Sequence, residues 1–259
     1  MISNLAQVSE KAQLGQNVQI DAFSVIHENV VIGDNTIIHS NVVIFPGARI
    51  GKNCEIFPGA VISAVPQDLK FEGEETTVEI GDNTKIRECV TVHRATKDKW
   101  VTKIGSNCLI MAYVHIAHDC QIGNNVILAS YVGLSGHCIV DDYAILEGSV
   151  GTQQFMKIGK HAFLAGATLV RKDVPPYVKA AREPITFAGV NSIGLRRRGF
   201  SDEAVREIED AYRIIFVLNN NVSKGVQAVK EQMPDSVYAK EIIEFIETSD
   251  KGIIRGMIG

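Results

Sequence analysis

No two cysteines form a C-x-x-C pair, and the five present are an odd number. That argues against both a disulfide framework and a structural zinc site. No apolar run approaches the roughly 18 residues of a membrane span. The opening MISNLAQVSEKAQ lacks the basic segment and apolar stretch of a secretory signal. These absences lead to the expectation of a cytoplasmic protein in a reducing compartment, without a membrane span. What remains is an ordinary globular composition, 46% hydrophobic and 22% charged over 259 residues, long enough for one large domain or a domain with an appendage.

What is present is a repeat. Aliphatic residues recur every six positions from Ile2 through Val8, Leu14 and Ile20 to Ile62, again at Ile80, Ile86 and Val92, and again from Ile104 to Val170, with Thr152 the one exception. Neither a helix of period 3.6 nor an isolated strand of period 2 produces this spacing. A longer period lies on top: LGQN, IGDN and IGKN begin at 14, 32 and 50, and IGDN, IGSN and IGNN at 80, 104 and 122. Within an unbroken run three hexads therefore make one turn of 18 residues, and the object implied is a three-sided parallel β-helix with one short strand per hexad. Gly and Asn in these motifs are expected to take left-handed backbone angles at the corners. Cys54, Cys108, Cys120 and Cys138 each sit four residues after a leading aliphatic, which reads as a small core or corner position. Cys120 and Cys138 should stack on adjacent turns and stay reduced.

Three faces follow. Face A is led by Leu14, Ile32, Ile50, Ile80, Ile104, Ile122, Val140 and Ile158, and face B by the aliphatics six residues later. Face C contains Ile26, Ile44, Ile62, Val92, Ile116, Leu134, Thr152 and Val170. The labelling survives both interruptions if each is an insertion after a face-C hexad, so two loops, at about 63–79 and 93–103, leave from one corner. His118 and His137 are placed on face C, with His115 at the corner leading into it. Counting by 18 puts Gly136 and then Gln154 over His118, and His137 over Asp119. Polar groups thus converge on one strip beside the loops, where function usually sits.

Past Val170, VPPYVK and REP end the repeat. The β-helix is expected over 1–184 and a C-terminal helical domain over 185–259, with Ser201 capping DEAVREIEDAYRIIFVL, Ser223 capping a second helix and VYAKEIIEFIET a third. These helices should cover the last turn's open edge. Charge is uneven: residues 157–198 hold nine basic side chains against two acidic ones, although the whole chain is at −4. A solvated basic surface and a site for an anionic ligand or acidic partner both fit.

The strip fits three chemistries. A histidine can act as general base, oriented by an adjacent carboxylate, with a glycine N–H one turn away for an oxyanion. Three imidazoles can hold zinc, as in β-helical carbonic anhydrases. Surface histidines can also do nothing special, as on a non-catalytic scaffold. Repeat and spacing leave these open.

QDLKFEGE, VHIAHDC, LSGHCIVDDY, DVPPYV and GVNSIGLRRRGFS, in that order and with the hexads, resemble the bacterial acyl-carrier-protein:UDP-N-acetylglucosamine O-acyltransferases that open lipid A biosynthesis. The resemblance runs from Ile2 to the GIIRG tail. It implies a left-handed β-helix that assembles as a homotrimer with active sites between subunits. It also implies transfer of a 3-hydroxyacyl chain from acyl carrier protein to the sugar 3-hydroxyl of UDP-N-acetylglucosamine by direct attack on the thioester.

The resemblance further implies that His118 is the base and Gly136 the oxyanion donor, and that Gln67, Asp68, Leu69, Lys70, His115, His137, Gln154, Asn191, Arg197 and Arg198 contact substrate. Gly166 would limit the acyl chain, and its missing side chain implies a long one. No metal, cofactor or nucleic acid is expected. Two departures are Gln153, where members often carry histidine, and Ile193, where they carry an acid. The related glucosamine N-acyltransferase carries a domain before its hexads, whereas the hexads here start at residue 2.

Overall fold

Each hexad spends two residues on a strand and four on a corner, as one coil of the computed structural model illustrates. Residues 1–219 and 221–256 are described. In the strand His115–Ile116 the isoleucine points inward and is fully buried, while His115 points out. The next coil repeats this, with His115 opposite Gly133 and Ile116 opposite Leu134. Among the described residues, stacking of this kind builds three sheets of nine, eight and ten strands, which are faces C, A and B and are parallel but for one strand at the end of the third. The protein is a left-handed three-sided parallel β-helix with a small C-terminal helical part.

The face assignment holds across both insertions, since Ile62 pairs with Val92, Val92 with Ile116, and Ile80 with Ile104. Ladders of inward aliphatics fill the interior, such as Ile20, Ile38, Ile56, Ile86 and Ile110 on face B. Burying each such side chain contributes about 1.5–3 kcal/mol. Cys54, Cys108, Cys120 and Cys138 share that interior, and all five cysteines are free thiols.

The corners depart from expectation in one respect. Asparagine does carry the left-handed angle, with φ of 58° at Asn35, 54° at Asn53 and 58° at Asn107. The glycines of the same motifs do not. Their role is close approach: a Cβ on Gly33 would lie 2.6 Å from the Gly51 carbonyl carbon, and one on Gly105 would lie 2.4 Å from the Gly123 oxygen. Asparagine side chains also bond from coil to coil, Asn17 to Asn35 at 3.1 Å and Asn35 to Asn53 at 3.3 Å.

Both insertions leave from the corner between faces C and A. The first runs over 65–76 and the second over 94–100, shorter than expected because the flanking strands Val61–Ala64, Thr77–Ile80 and Val101–Ile104 extend into them. Beyond the last coil, Val178–Ala181 adds in parallel to Phe163–Leu164, and Thr186–Val190 folds back antiparallel on it. The expected boundary at 184/185 therefore falls inside a hairpin of the face-B sheet.

Four helices follow among the described residues. The short α1 (Ser192–Arg197) was not anticipated, because its first turn carries no side-chain cap. Ser201 caps α2 (Asp202–Phe216) as expected, whereas α3 (Val222–Gln232) is capped by Asn221 instead of Ser223. The Asn221 carboxamide accepts from the N–H groups of Ser223 and Lys224, which makes Ser223 part of the first turn. Ser236 caps α4 (Val237–Glu247).

The helices cover the last coil through specific contacts. The Tyr212 hydroxyl donates to the Pro176 carbonyl at 2.6 Å, and Glu241 accepts from both Lys160 and the Tyr177 hydroxyl. Part of the basic surplus is thereby paired: Lys160 with Glu241, Arg171 with Glu183, and Arg196 with Asp202. Among the described residues no helix is long and apolar enough to cross a membrane.

Because Gly105 abuts the next coil's backbone, which cannot move aside as a side chain can, Gly105→Ala should cost on the order of 2 kcal/mol. Thermal denaturation should show a clear loss of Tm; an unchanged Tm would mean the corners tolerate a wider spacing.

Candidate active site

His118 does not lie within face C. The strand ends at Ile116, and His118 sits on the corner that follows, while His115, expected at a corner, is the outward strand residue. The reason is that the residue before the leading aliphatic belongs to the strand and the later ones turn. Asp119 and His137 occupy the left-handed position of successive C-to-A corners, with φ of 61° and 63°. That angle stacks their side chains outside the coil, next to His118.

The His118 ring is fixed on several sides. Its Nδ1 is 2.8 Å from Asp119 Oδ2. The His137 ring meets it edge-on at 5.0 Å and is itself stacked on Phe155 at 4.5 Å. Gly136 lies on the next coil, where a Cβ would come within 2.6 Å of His118 Cε1. Here glycine is required because the imidazole occupies the space a side chain would need. His118 Nε2 has no hydrogen-bond partner among the described residues; Asp68 Oδ2 of the first insertion is 3.9 Å away.

Asp119 is buried, and its carboxylate is bound by the second insertion. The hydroxyl of Thr96 donates to Oδ2 at 2.8 Å, and the backbone N–H groups of Thr96 and Lys99 donate to Oδ1 at 3.1 and 3.2 Å. An aspartate so held can orient a histidine and stabilise its charged form.

A cleft of about 550 Å³ opens beside His118, lined also by Gln67, His93, His115, Gly136 and Gln154. Its floor is the row of outward strand positions on face C: His115, then Gly133, Gly151 and Leu169 on successive coils. Two glycines in this row leave a channel where the coils from Val25 to Thr91 carry Val or Thr. The signal was present in the sequence as glycine one residue before a face-C leader, a place where β-branched residues are favoured.

His93, to which the sequence assigned no role, also lines the cleft. Burial, reinforced by the neighbouring His115 and His118, pushes its pKa down from 6.5 to about 4. His115 is lowered by burial and by His118, and its Nδ1 is 2.7 Å from the Thr91 hydroxyl.

The remaining expected residues are distributed elsewhere. Leu69 and Lys70 lie exposed further along the first insertion. Asn191 and Arg197 line a separate cavity of about 440 Å³, together with Ile193 and the face-B residues Ile145 and Phe163. Arg198 packs over the Tyr143 ring at 5.5 Å and approaches His161 Nδ1 at 3.5 Å. Gly166 sits on the corner just before Leu169, with room for a Cβ limited by the Gly148 oxygen at 3.2 Å. Gln153 lines the main cleft.

Among the described residues, one group could offer metal ligands, His118, Asp119 and His137, with an atom from each within 4.8 Å. It is not a set of three imidazoles, and its shortest contact is the hydrogen-bonded His118–Asp119 pair.

Comparisons with known proteins point one way. A family model described as UDP N-acetylglucosamine O-acyltransferase, domain 2, matches residues 173–254, and the bacterial transferase hexapeptide model matches 11–46 and 102–136. The acyl-[acyl-carrier-protein]–UDP-N-acetylglucosamine O-acyltransferase of Sulfurihydrogenibium sp. is 58% identical, over 96% of this chain and 92% of the relative. That of Herminiimonas arsenicoxydans is 42% identical over 98% and 99%. The crystal structure of the UDP-N-acetylglucosamine acyltransferase from Bacteroides fragilis superposes with a TM-score of 0.97 at 48% identity, over 98% of this chain and 100% of that one.

His93 and His161 are both held near pKa 4 in the fold, against 6.5 when exposed. Between those values the unfolded chain binds protons that the folded one does not, so stability falls as pH drops through this window. Denaturant titrations across it should show that fall, relieved in His93→Gln; a flat profile would mean that these rings charge freely in the fold.

Proposed function

The chain belongs to the acyl-[acyl-carrier-protein]–UDP-N-acetylglucosamine O-acyltransferase family, and we propose that it transfers a 3-hydroxyacyl group to the sugar 3-hydroxyl with His118 as general base, the first step of lipid A biosynthesis. The observation that carries this reading is the His118–Asp119 contact of 2.8 Å at the head of a glycine-floored cleft. With Nδ1–H donated to Asp119, the lone pair is on Nε2, the atom without a hydrogen-bond partner among the described residues.

Nε2 takes the proton of the sugar 3-hydroxyl as its oxygen attacks the thioester carbonyl carbon. The tetrahedral oxyanion forms beside the Gly136 N–H, which donates to no acceptor among the described residues. Collapse breaks the C–S bond, and the leaving thiolate takes its proton from the His118 imidazolium. The step needs no covalent enzyme intermediate, metal or cofactor. His115, His137, Gln67, Asp68 and Gln154 surround the acceptor sugar, with Leu69 and Lys70 reaching from the first insertion. Gly133, Gly151 and Leu169 form the floor under the acyl chain.

Asn191, Arg197 and Arg198 suit a diphosphate, since guanidinium groups offer fixed multi-donor geometry. Asn191 and Arg197 line a different cavity from His118, and Arg198 packs on Tyr143 outside the main cleft, which supports a homotrimer in which one subunit's arginines meet substrate bound in a neighbour's cleft. The basic side chains left unpaired also suit an acidic acyl carrier protein. A carrier-protein donor supports a cytoplasmic location for the reaction.

His118→Ala should lower turnover of 3-hydroxyacyl carrier protein and UDP-N-acetylglucosamine by about 10² or more with the fold intact; normal turnover would refute the base assignment. Gly166→Met should shift preference toward shorter acyl donors, because its corner leads directly into Leu169, which lines the cleft. An unchanged donor profile would remove Gly166 as a determinant of chain length.

A further inference from the structure

The second insertion does more than leave the β-helix. Residues 94–100 fold over the Asp119 carboxylate, which is buried with no lysine or arginine at ion-pair distance among the described residues. The charge is met by donors, and most of them come from one residue. Thr96 donates its hydroxyl to Oδ2 at 2.8 Å, and its backbone N–H reaches Oδ1 at 3.1 Å and Oδ2 at 3.3 Å. Lys99 N–H completes the set on Oδ1 at 3.2 Å. From the other side, the Thr102 hydroxyl accepts the Asp119 N–H at 2.8 Å. Thr96 is itself buried and is not part of the cleft lining.

We propose that Thr96 is a positioning residue for acyl transfer: by binding the same Asp119 oxygen as His118 Nδ1, its hydroxyl sets the plane of the carboxylate and so the direction in which His118 Nε2 faces the substrate. The proposal rests on His118 being the general base. Two consequences follow from the shared oxygen. Without the Thr96 hydroxyl the carboxylate keeps only the backbone N–H donors of Thr96 and Lys99, turns more freely about its Cβ–Cγ bond, and holds the imidazole in its direction less firmly. Oδ2 also loses a neutral donor, becomes a stronger acceptor, and stabilises the imidazolium more than before. Turnover should therefore fall, and the proton-binding step of the base should move to higher pH. Sugar-nucleotide binding should be little affected, because Thr96 does not touch the cleft.

The test is steady-state kinetics of the full-length enzyme with 3-hydroxyacyl carrier protein and UDP-N-acetylglucosamine across pH. Thr96→Val, nearly isosteric, should lower kcat by roughly tenfold to a hundredfold, leave the KM for the sugar nucleotide nearly unchanged, and shift the acid limb of the kcat profile upward. Thr96→Ser should restore both. On an Asp119→Ala background, Thr96→Val should cost nothing further, since the two act through one contact. If the valine variant does not fold, Thr96→Ala removes the same hydroxyl with less bulk and carries the same expectation. Wild-type kcat and pH profile in the variant, a loss confined to KM, or a full additional loss without Asp119 would each overturn the proposal. His118→Ala separates the two readings. If it is inactive while Thr96→Val is normal, only the role of Thr96 fails; if it turns over normally, the base assignment fails first.

Discussion

Coil-to-coil backbone hydrogen bonding, at an 18-residue step outside the two insertions, underlies everything else in this molecule. Ala117 N–H to Leu134 O at 3.1 Å and His137 N–H to His118 O at 3.1 Å are two rungs of that ladder. A constant step requires every corner to stack on its predecessor without spreading it. This is why glycine stands where the coils touch at Gly33 and Gly105, and why one residue in most corners accepts a left-handed angle. A wider coil-to-coil spacing at any corner would displace every residue stacked above it.

The site uses the same constraint. Stacking brings His118 against Gly136 and Asp119 beneath His137, so residues far apart in the chain are held in register by the backbone itself. Both insertions emerge from the corner that carries His118. One brings Asp68 to within 3.9 Å of Nε2, and the other encloses the Asp119 carboxylate. A rigid ladder supplies position, and irregular loops supply the donors that a repeating coil cannot.

Much of this was legible in the sequence because it is periodic. The three faces, the common origin of both insertions, and the juxtaposition of His118 with Gly136 all follow from counting. The exact seat of His118 did not, because hexad spacing does not show which residues of a hexad turn; the structure puts it on the corner and His115 in the strand. Thr96 was invisible for a different reason. It lies in an insertion, where the count stops and loop conformation decides which N–H groups point at Asp119. The corner glycines were noticed for the wrong property, since motif and spacing cannot separate a need for left-handed φ from a need for room. Helix α1 lacks the side-chain cap that would have announced it.

The alternation within each two-residue strand has an evolutionary consequence. Ile116, Leu134, Thr152 and Val170 face inward and hold the scaffold, whereas their immediate neighbours His115, Gly133, Gly151 and Leu169 face outward and shape the cleft. Stability and specificity are therefore written in separate, interleaved positions of one ladder. Substitution at an outward position can reshape the channel while the interior packing stays as it was, so lineages can drift in what they accept without first having to survive a weakened core.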